Sequence, residues 1–337
     1  MKRTKRRYKR PILFISVIII GLLSLVGYHN FHPALVKDFF ASALSAISET
    51  KPNLLSSNIS TIATAATSKT DLSTPDESYV LIDPQTTMTL KSSNADVQRA
   101  PASTTKLLTG LIALQKLNET DIVRVGSEVN IDGSRLGLSP GDEISVHDLL
   151  TALYVHSAND AAAALAVKIS GSIPAFADEM NQYAATLGCQ HSHFTNPHGL
   201  PDPDHYTTAN DLGKIASLFL KNEELMKFVK ETSASIQWKD ARGMNRYAEV
   251  QNTNSLLGIY PGDQGLKTGT TTAAGQCLVS YVTRPDGDLL LILLGSQQRY
   301  RDTIKLLDEG WAEQRTNAAL RGLAKDPRSL IMTPGMF

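Results

Sequence analysis

The chain is expected to fold as an α+β domain, an antiparallel sheet flanked by helices with a mostly helical subdomain. Strand-like runs open its well-patterned part, helix-periodic runs fill the middle and strand-like runs return near the end. A sheet that brings the two ends of the chain together buries all of these at once. The 337 residues, 42% of them hydrophobic, supply enough apolar side chains for a substantial core, and no internal repeat is visible.

The N-terminus comes first. Lys2, Arg3, Lys5, Arg6, Arg7, Lys9 and Arg10 precede an uncharged stretch from Pro11 to Tyr28. That stretch is at the short limit for a membrane-spanning helix, and basic residues on one side of it predict a cytoplasmic segment over 1–10 and everything after 28 outside. A cleaved secretory signal is the competing reading, but its best small-residue site, Ala41-Ser42-Ala43, lies too far beyond the apolar run. Both readings put the working domain outside the cytoplasm. The formal net charge is zero, so the chain beyond this basic leader is acidic and gives no basis for nucleic-acid binding.

Residues 29–77 turn to Ser, Thr, Ala and Asn, with Pro52 and Pro75, and read as a tether that is helical in part near Phe39 to Ile47. A domain is expected over 78–322 and a frayed tail over 323–337. Within the domain, Tyr79 to Ile82 and Thr87 to Leu90 read as a hairpin across Asp83-Pro84-Gln85-Thr86. Leu107, Leu108, Leu111, Ile112 and Leu114 give the next segment a helical apolar stripe. Ser139-Pro140-Gly141-Asp142 reads as a turn. Helices follow over Val146 to Leu153 and Ala161 to Ile169, with a break at His156-Ser157-Ala158-Asn159, then over Ile173 to Leu187 and Ala209 to Phe219. Strands return over Gly265 to Thr270, Gln276 to Thr283 and Leu289 to Leu294, the last two joined by an Asp286-Gly287 hairpin signal. Asp302 to Leu320 closes the domain as a helix. Cys189 and Cys277 stand alone in their segments and read as unpaired core residues, although pairing outside the cytoplasm is open to them. No metal-ligand spacing accompanies them, and no cofactor is expected.

Three short motifs stand in order along this framework: Ser103-x-x-Lys106, Ser157-Ala158-Asn159 and Lys267-Thr268-Gly269. Spacing alone decides little, since Ser48 and Lys51 share the first pattern and Ser92-Ser93-Asn94 resembles the second. The settings are informative. Ser103 at the start of a helix has a favourable dipole and a backbone N–H for a developing oxyanion. Lys106, one turn on, lies on the same face and can take the serine's proton if burial leaves it neutral. Ser157 and Asn159 occupy a helix break from which side chains point into a cleft. Lys267 and Thr268 precede small residues on a strand whose edge can pair with an extended peptide. Taken singly, each has a plain alternative: Lys106 as a surface lysine, Ser157 as a helix cap, and Lys267-Thr268-Gly269 as a strand end.

The ordered triple is the signature of serine β-lactamases and penicillin-binding proteins. From about Ser78 to Trp311 the chain resembles the low-molecular-mass penicillin-binding proteins that are serine-type D-alanyl-D-alanine carboxypeptidases, peptidase family S11. The resemblance adds Ala102 to Thr109, Pro140-Gly141-Asp142, Asn196-Pro197-His198-Gly199-Leu200, His205 to Leu212, Asn252-Thr253-Asn254 and Gly265 to Thr270. It implies a β-lactamase/transpeptidase-like fold and a two-step reaction. Ser103 would attack the carbonyl between the terminal D-alanines of a peptidoglycan stem peptide, with Lys106 as base and Ser157 relaying a proton to the leaving amine. Asn159 would hold the peptide group, Lys267 and Thr268 the carboxylate, and the backbone N–H groups of Ser103 and Thr270 the oxyanion, with Gly269 joining Thr268 to Thr270 in the substrate-binding strand. β-Lactams are the expected covalent inhibitors.

His156, His198 and His205 are expected to be structural. Some relatives carry an arginine where this chain has Thr253, so that contact with the substrate carboxylate is expected to come from elsewhere or be absent. Many relatives also append a β-rich domain and a membrane-binding C-terminal helix, for which this chain ends too soon, and the N-terminal anchor is expected to replace that attachment. Class A β-lactamases usually have aspartate where this chain has Ala158, plus a Glu-x-x-Leu-Asn loop that is not found here, which argues against efficient β-lactam hydrolysis. A D,D-endopeptidase, a β-lactamase and a catalytically silent cell-wall-binding protein remain the alternatives.

Overall fold

Strands β1 (Ser78–Asp83) and β2 (Met88–Ser93) form the expected hairpin, and β1 pairs on its other side with the last strand, β9 (Gly287–Ser296). The computed structural model describes residues 77–285 and 287–325. Two further strands, β7 (Asp263–Thr271) and β8 (Gly275–Arg284), complete a five-stranded antiparallel sheet of order β2-β1-β9-β8-β7.

The run Leu289 to Leu294 of β9 is buried throughout because the sheet is covered on both faces. Alternation along the strands divides the side chains between two cores. Val80, Val279, Leu290, Ile292 and Leu294 face the helical lobe, where Leu212, Ile215 and Ala216 meet them. Tyr79, Leu81, Leu278, Leu289, Leu291 and Leu293 face the opposite way, onto Leu306, Leu307 and Trp311 of the last helix, which spans Arg299–Lys325. That helix runs into the stretch expected to be tail.

The helical lobe contains α1 (Lys106–Lys116), α2 (Val146–Tyr154), α3 (Asn159–Ser170), α4 (Ile173–Thr186), α5 (Ala209–Phe219) and α6 (Glu223–Lys230); the closing helix is α7. Side chains of Ser145, Ser172, Thr208 and Asn222 accept from backbone N–H groups in the first turns of α2, α4, α5 and α6, the capping expected of these residue types. Helix α3 lies in the middle of the lobe, where its Ala161 to Ala164 are fully buried and let neighbours approach closely.

A second antiparallel sheet, β3-β4-β5-β6, was not anticipated. It joins β3 (Ile122–Arg124), β4 (Glu143–Ser145), β5 (Ser233–Lys239) and β6 (Asn245–Gln251). Helix α6 was also missed. Cys189 and Cys277 are both buried and unpaired, as read from sequence. Burial pushes the Cys277 thiol up to about 11, and burial together with Asp211 pushes the Cys189 thiol up to about 12.

The expected membrane segment at 11–28, the basic segment before it, all of the tether but residue 77, and the tail beyond 325 lie outside the described residues. Among the described residues no helix is long and apolar enough to cross a membrane.

Candidate active site

The first motif sits on a tight turn. Ser103 lies in a 3-10 turn, Ala102–Thr105, that leads directly into α1. Its neighbour Ala102 has φ +49°, a left-handed conformation that costs a non-glycine residue about 1–3 kcal/mol unless the surroundings enforce it. They do. Thr105 Oγ1 donates to Ala102 O at 2.9 Å and lies 2.9 Å from His205 Nε2. His205 Nδ1 accepts from Thr195 N at 3.0 Å, which leaves Nε2 to carry the ring proton. From the other side the Asn196-Pro197-His198-Gly199 segment presses on the turn. A Cβ on Gly199 would fall 1.8 Å from Ala102 O, so only glycine fits there.

Lys106 is fully buried. Its Nζ lies 2.9 Å from Ser103 Oγ, 2.7 Å from Asn159 Oδ1 and 2.8 Å from His198 O. Burial, then the nearby charge of Lys267, hold its pKa well below the usual lysine value, against an opposing pull from Asp160. The geometry assigns the protons of the neutral form. The two carbonyl oxygens can only accept, so they take both N–H groups of a neutral amine, and its lone pair is left for the hydroxyl proton of Ser103.

The second motif occupies the predicted break between α2 and α3. Ser157 has φ +61°, and its Oγ accepts from Lys267 Nζ at 2.8 Å. Asn159 begins α3 and spans the cleft wall, with Oδ1 on Lys106 and Nδ2 donating to Asp132 O at 2.7 Å.

The third motif lies on β7, the edge strand of the large sheet. Lys267 is fully buried, and burial, with a contribution from Arg299, pushes it down to about 7. Thr268 Oγ1 is 2.6 Å from Thr253 Oγ1. A Cβ on Gly269 would stand 2.8 Å from Ser103 N, so this glycine lets the strand pass directly against the nucleophile turn and brings Thr270 alongside it. All eight residues singled out from sequence, Ser103, Lys106, Ser157, Asn159, Lys267, Thr268, Gly269 and Thr270, therefore meet at one cleft of about 320 Å³ or directly behind its wall.

Two further residues were not foreseen. Arg299, in the first turn of α7, lines the same cleft. Its Nη1 donates to Gly269 O and Cys277 O at 3.0 Å each, and its Nη2 donates to Thr270 Oγ1. It supplies a guanidinium at the rim where Thr253 supplies none. A cation at a helix N-terminus opposes the helix dipole, and that mismatch was the available signal.

The other is Asp160, fully buried, whose carboxylate accepts from Leu136 N at 3.0 Å, Gly137 N at 2.8 Å and Leu138 N at 3.1 Å. With Asn159 N donating to Ser134 O and Ser134 Oγ to His156 O, it fastens the 132–138 segment over the second motif.

His198 and His205 are pushed down to about 3 and about 4 by burial, so both are neutral at pH 7 and serve as hydrogen-bonding scaffold. Among the described residues no group of three or more His, Cys, Asp or Glu side chains is arranged to hold a metal. The cleft thus offers an activated hydroxyl, two backbone N–H groups beside it, a second serine on a lysine, and a cationic rim, the parts required for acyl transfer from a substrate with a terminal carboxylate.

Residues 63–298 match the family described as D-alanyl-D-alanine carboxypeptidase, peptidase S11. The chain is 32% identical over 250 residues to D-alanyl-D-alanine carboxypeptidase DacF of Bacillus subtilis, an alignment covering 72% of this chain and 63% of that one. To DacC of Escherichia coli it is 33% identical over 248 residues, covering 69% of this chain and 60% of the relative. It therefore spans about three-fifths of the length of these curated relatives. The crystal structure of the Streptomyces K15 DD-transpeptidase superposes with a TM-score of 0.68 at 30% identity, covering 72% of this chain and 99% of that one.

Proposed function

Because this chain belongs to the D-alanyl-D-alanine carboxypeptidase family, we propose that it is a serine D,D-carboxypeptidase that removes the terminal D-alanine from peptidoglycan stem peptides. The observation that carries this reading is the position of Lys106 Nζ, held by two carbonyl oxygens so that its remaining valence meets Ser103 Oγ at 2.9 Å.

In the proposed reaction Ser103 Oγ gives its proton to Lys106 and bonds to the carbonyl carbon of the penultimate D-alanine. The oxyanion is held by the N–H groups of Ser103 and Thr270. The proton on Lys106 is relayed through Ser157, which is held by Lys267, to the departing amine; the C–N bond breaks, D-alanine leaves and Lys106 is neutral again. Water then attacks the ester on Ser103 as Lys106 takes its proton, and that proton returns to Ser103 Oγ as the C–O bond to the serine breaks and the shortened peptide is released. Asn159 orients the penultimate peptide group. Lys267, Thr268 and Arg299 attract the terminal carboxylate, and Gly269 keeps the strand close enough for Thr270 to reach the oxyanion. Penicillins enter by the same acylation. The proposed location is the bacterial cell membrane, with a single N-terminal span at 11–28 and the catalytic domain outside the cytoplasm, supported by the basic leader and the uncharged run.

The test incubates the detergent-solubilised full chain with a stem peptide ending in D-Ala-D-Ala and with a labelled penicillin. Release of D-alanine and a label on Ser103 are expected; absence of both rejects the reading. A second reading is favoured by one observation, the near-complete coverage of a relative named as a DD-transpeptidase. If an added amine acceptor takes most of the acyl group in place of water, transfer is the main activity.

A further inference from the structure

Asp263 lies on β7, four residues before Lys267, and has no part in the proposed reaction. It is buried, at 8% exposed, and it does not line the catalytic cleft. Its carboxylate gathers three donors from three parts of the chain. Oδ1 accepts from Ser280 Oγ on β8, Oδ2 accepts from Asn254 Nδ2, each at 3.0 Å, and the Gly265 N–H supplies the third. None of these groups is charged. Burial pushes the carboxyl up to about 6 against their pull, so at pH 7 it is ionised.

Asn254 is fixed by this contact. Its Oδ1 accepts from Leu256 N at 3.1 Å, which turns Nδ2 toward Asp263, and its backbone N–H donates to Asn252 Oδ1 at 2.8 Å. Thr253 stands between these two asparagines and does line the cleft. It is joined to three other parts of the site. Thr253 N donates to Val155 O at 3.2 Å, two residues before Ser157; its Oγ1 is 2.6 Å from Thr268 Oγ1; and its carbonyl accepts from Tyr300 Oη at 2.9 Å. Tyr300 follows Arg299 in α7, and the Arg299 guanidinium lies 5.6 Å from the Tyr300 ring centroid. Thr253, Thr268 and Arg299 thus surround the place proposed for the terminal carboxylate, and Asp263 grips the segment that carries the first of them.

We propose that Asp263 is a positioning residue for carboxylate recognition: by holding Asn254 it keeps Thr253 in place against Thr268 and Tyr300, and so sets the preference of the cleft for a substrate that ends in a free carboxylate. The identity of the substrate rests on the carboxypeptidase reading above; the grip of Asp263 on the 252–256 segment is tested separately from it.

The test gives the detergent-solubilised full chain two stem peptides, one ending in D-Ala-D-Ala and one in the corresponding carboxamide. The ratio of their kcat/KM values cancels any loss that affects the chemistry in general. It is expected to fall about tenfold in Asp263→Ala, which leaves Asn254 without its acceptor, and about two- to threefold in Asp263→Asn, which replaces a charge-assisted bond by a weaker neutral one. Ser280→Ala, which keeps the bond to Asn254, is expected to leave the ratio within about twofold of the wild type. Protonation should act as Asp263→Asn does, so the wild-type ratio is expected to fall by a similar factor from about pH 7 to 5, where the peptide carboxylate stays ionised. Independently of turnover, hydrogen exchange at the amides of Thr253, Asn254 and Leu256 is expected to quicken about tenfold in Asp263→Ala while exchange in β9 stays unchanged. A ratio that keeps its wild-type value in Asp263→Ala, equal effects of Asp263→Ala and Ser280→Ala, or exchange that quickens equally in β9 overturns the proposal. Failure of the wild type to cleave either peptide counts against the carboxypeptidase reading instead, and the exchange measurement still decides whether Asp263 holds the segment.

Discussion

Lys106 and Lys267 are both buried lysines 2.8–2.9 Å from a serine hydroxyl, one on the helical side of the cleft and one on the sheet side. Their surroundings separate them. Burial first, and then the charge of Lys267, drive the pKa of Lys106 well down. Lys267 stops at about 7, where it changes protonation easily, and an incoming carboxylate raises it and fixes the proton in place. Two residues of one type thus divide into a base and a cation through their environments alone, the pattern by which acid and base roles are usually separated in a single cleft.

The strongest way to break this comparison is Lys106→Ala. The rate at which labelled penicillin acylates Ser103 is expected to fall about 10³–10⁴-fold; a loss below tenfold would mean that another group takes the proton. Lys267→Met is expected to lower kcat/KM about 10²-fold. The same change removes a buried charge, so chemical denaturation at pH 7 should show the fold stabilised by about 1–4 kcal/mol.

The pH dependence follows from the same group. Below about 7 Lys267 carries its charge; above it the charge is lost. The KM for an anionic peptide is therefore expected to rise between pH 7 and 9 in the wild type and to stay level in Lys267→Met. For stability the sign is opposite to that of a paired lysine. The folded pKa lies below the unfolded value of about 10.4, so the unfolded chain binds more protons, and stability falls as pH drops from about 10 to 7. Unfolding curves across that range check it, and Lys267→Met should flatten the slope.

The smallest effect is expected from Asp160→Asn. It replaces a carboxylate that accepts four backbone N–H groups, three of them from the 136–138 segment, and should cost about 1–2 kcal/mol. Because Asp160 raises the pKa of Lys106, the acid limb of the kcat/KM profile should move to lower pH. A limb that does not move would show that Asp160 acts only through the loop.

The large sheet and all the described helices but α6 were readable from sequence because their apolar residues recur in long enough runs to set a period. The small sheet was not. Strands β3 and β4 have three residues each, too few to show alternation, and β5 and β6 bury only Ile236 and Val250 among Ser, Gln, Lys, Arg and Glu. Helix α6 is amphipathic but only eight residues long and follows α5 closely. The three motifs could be read because each keeps its chemistry in a few adjacent residues. Arg299 and Asp160 were missed for the opposite reason. Arg299 reaches the cleft only because β7 and β8 fold back beside it, and Asp160 acts on backbone N–H groups that carry no side-chain signature.

The pairing of β1 with β9 sets the order in which the domain can be completed. Val80 lies opposite Ile292, about 210 residues later in the chain, so during synthesis the first hairpin waits without its inner neighbour while the whole helical lobe is made. Ser103 follows that hairpin early, but Thr270 and Arg299, which flank it in the finished cleft, arrive among the last elements. A chain cut before Gly287 keeps all three motifs but loses β9, the strand that joins β1 to β8 and so ties the two ends of the sheet together.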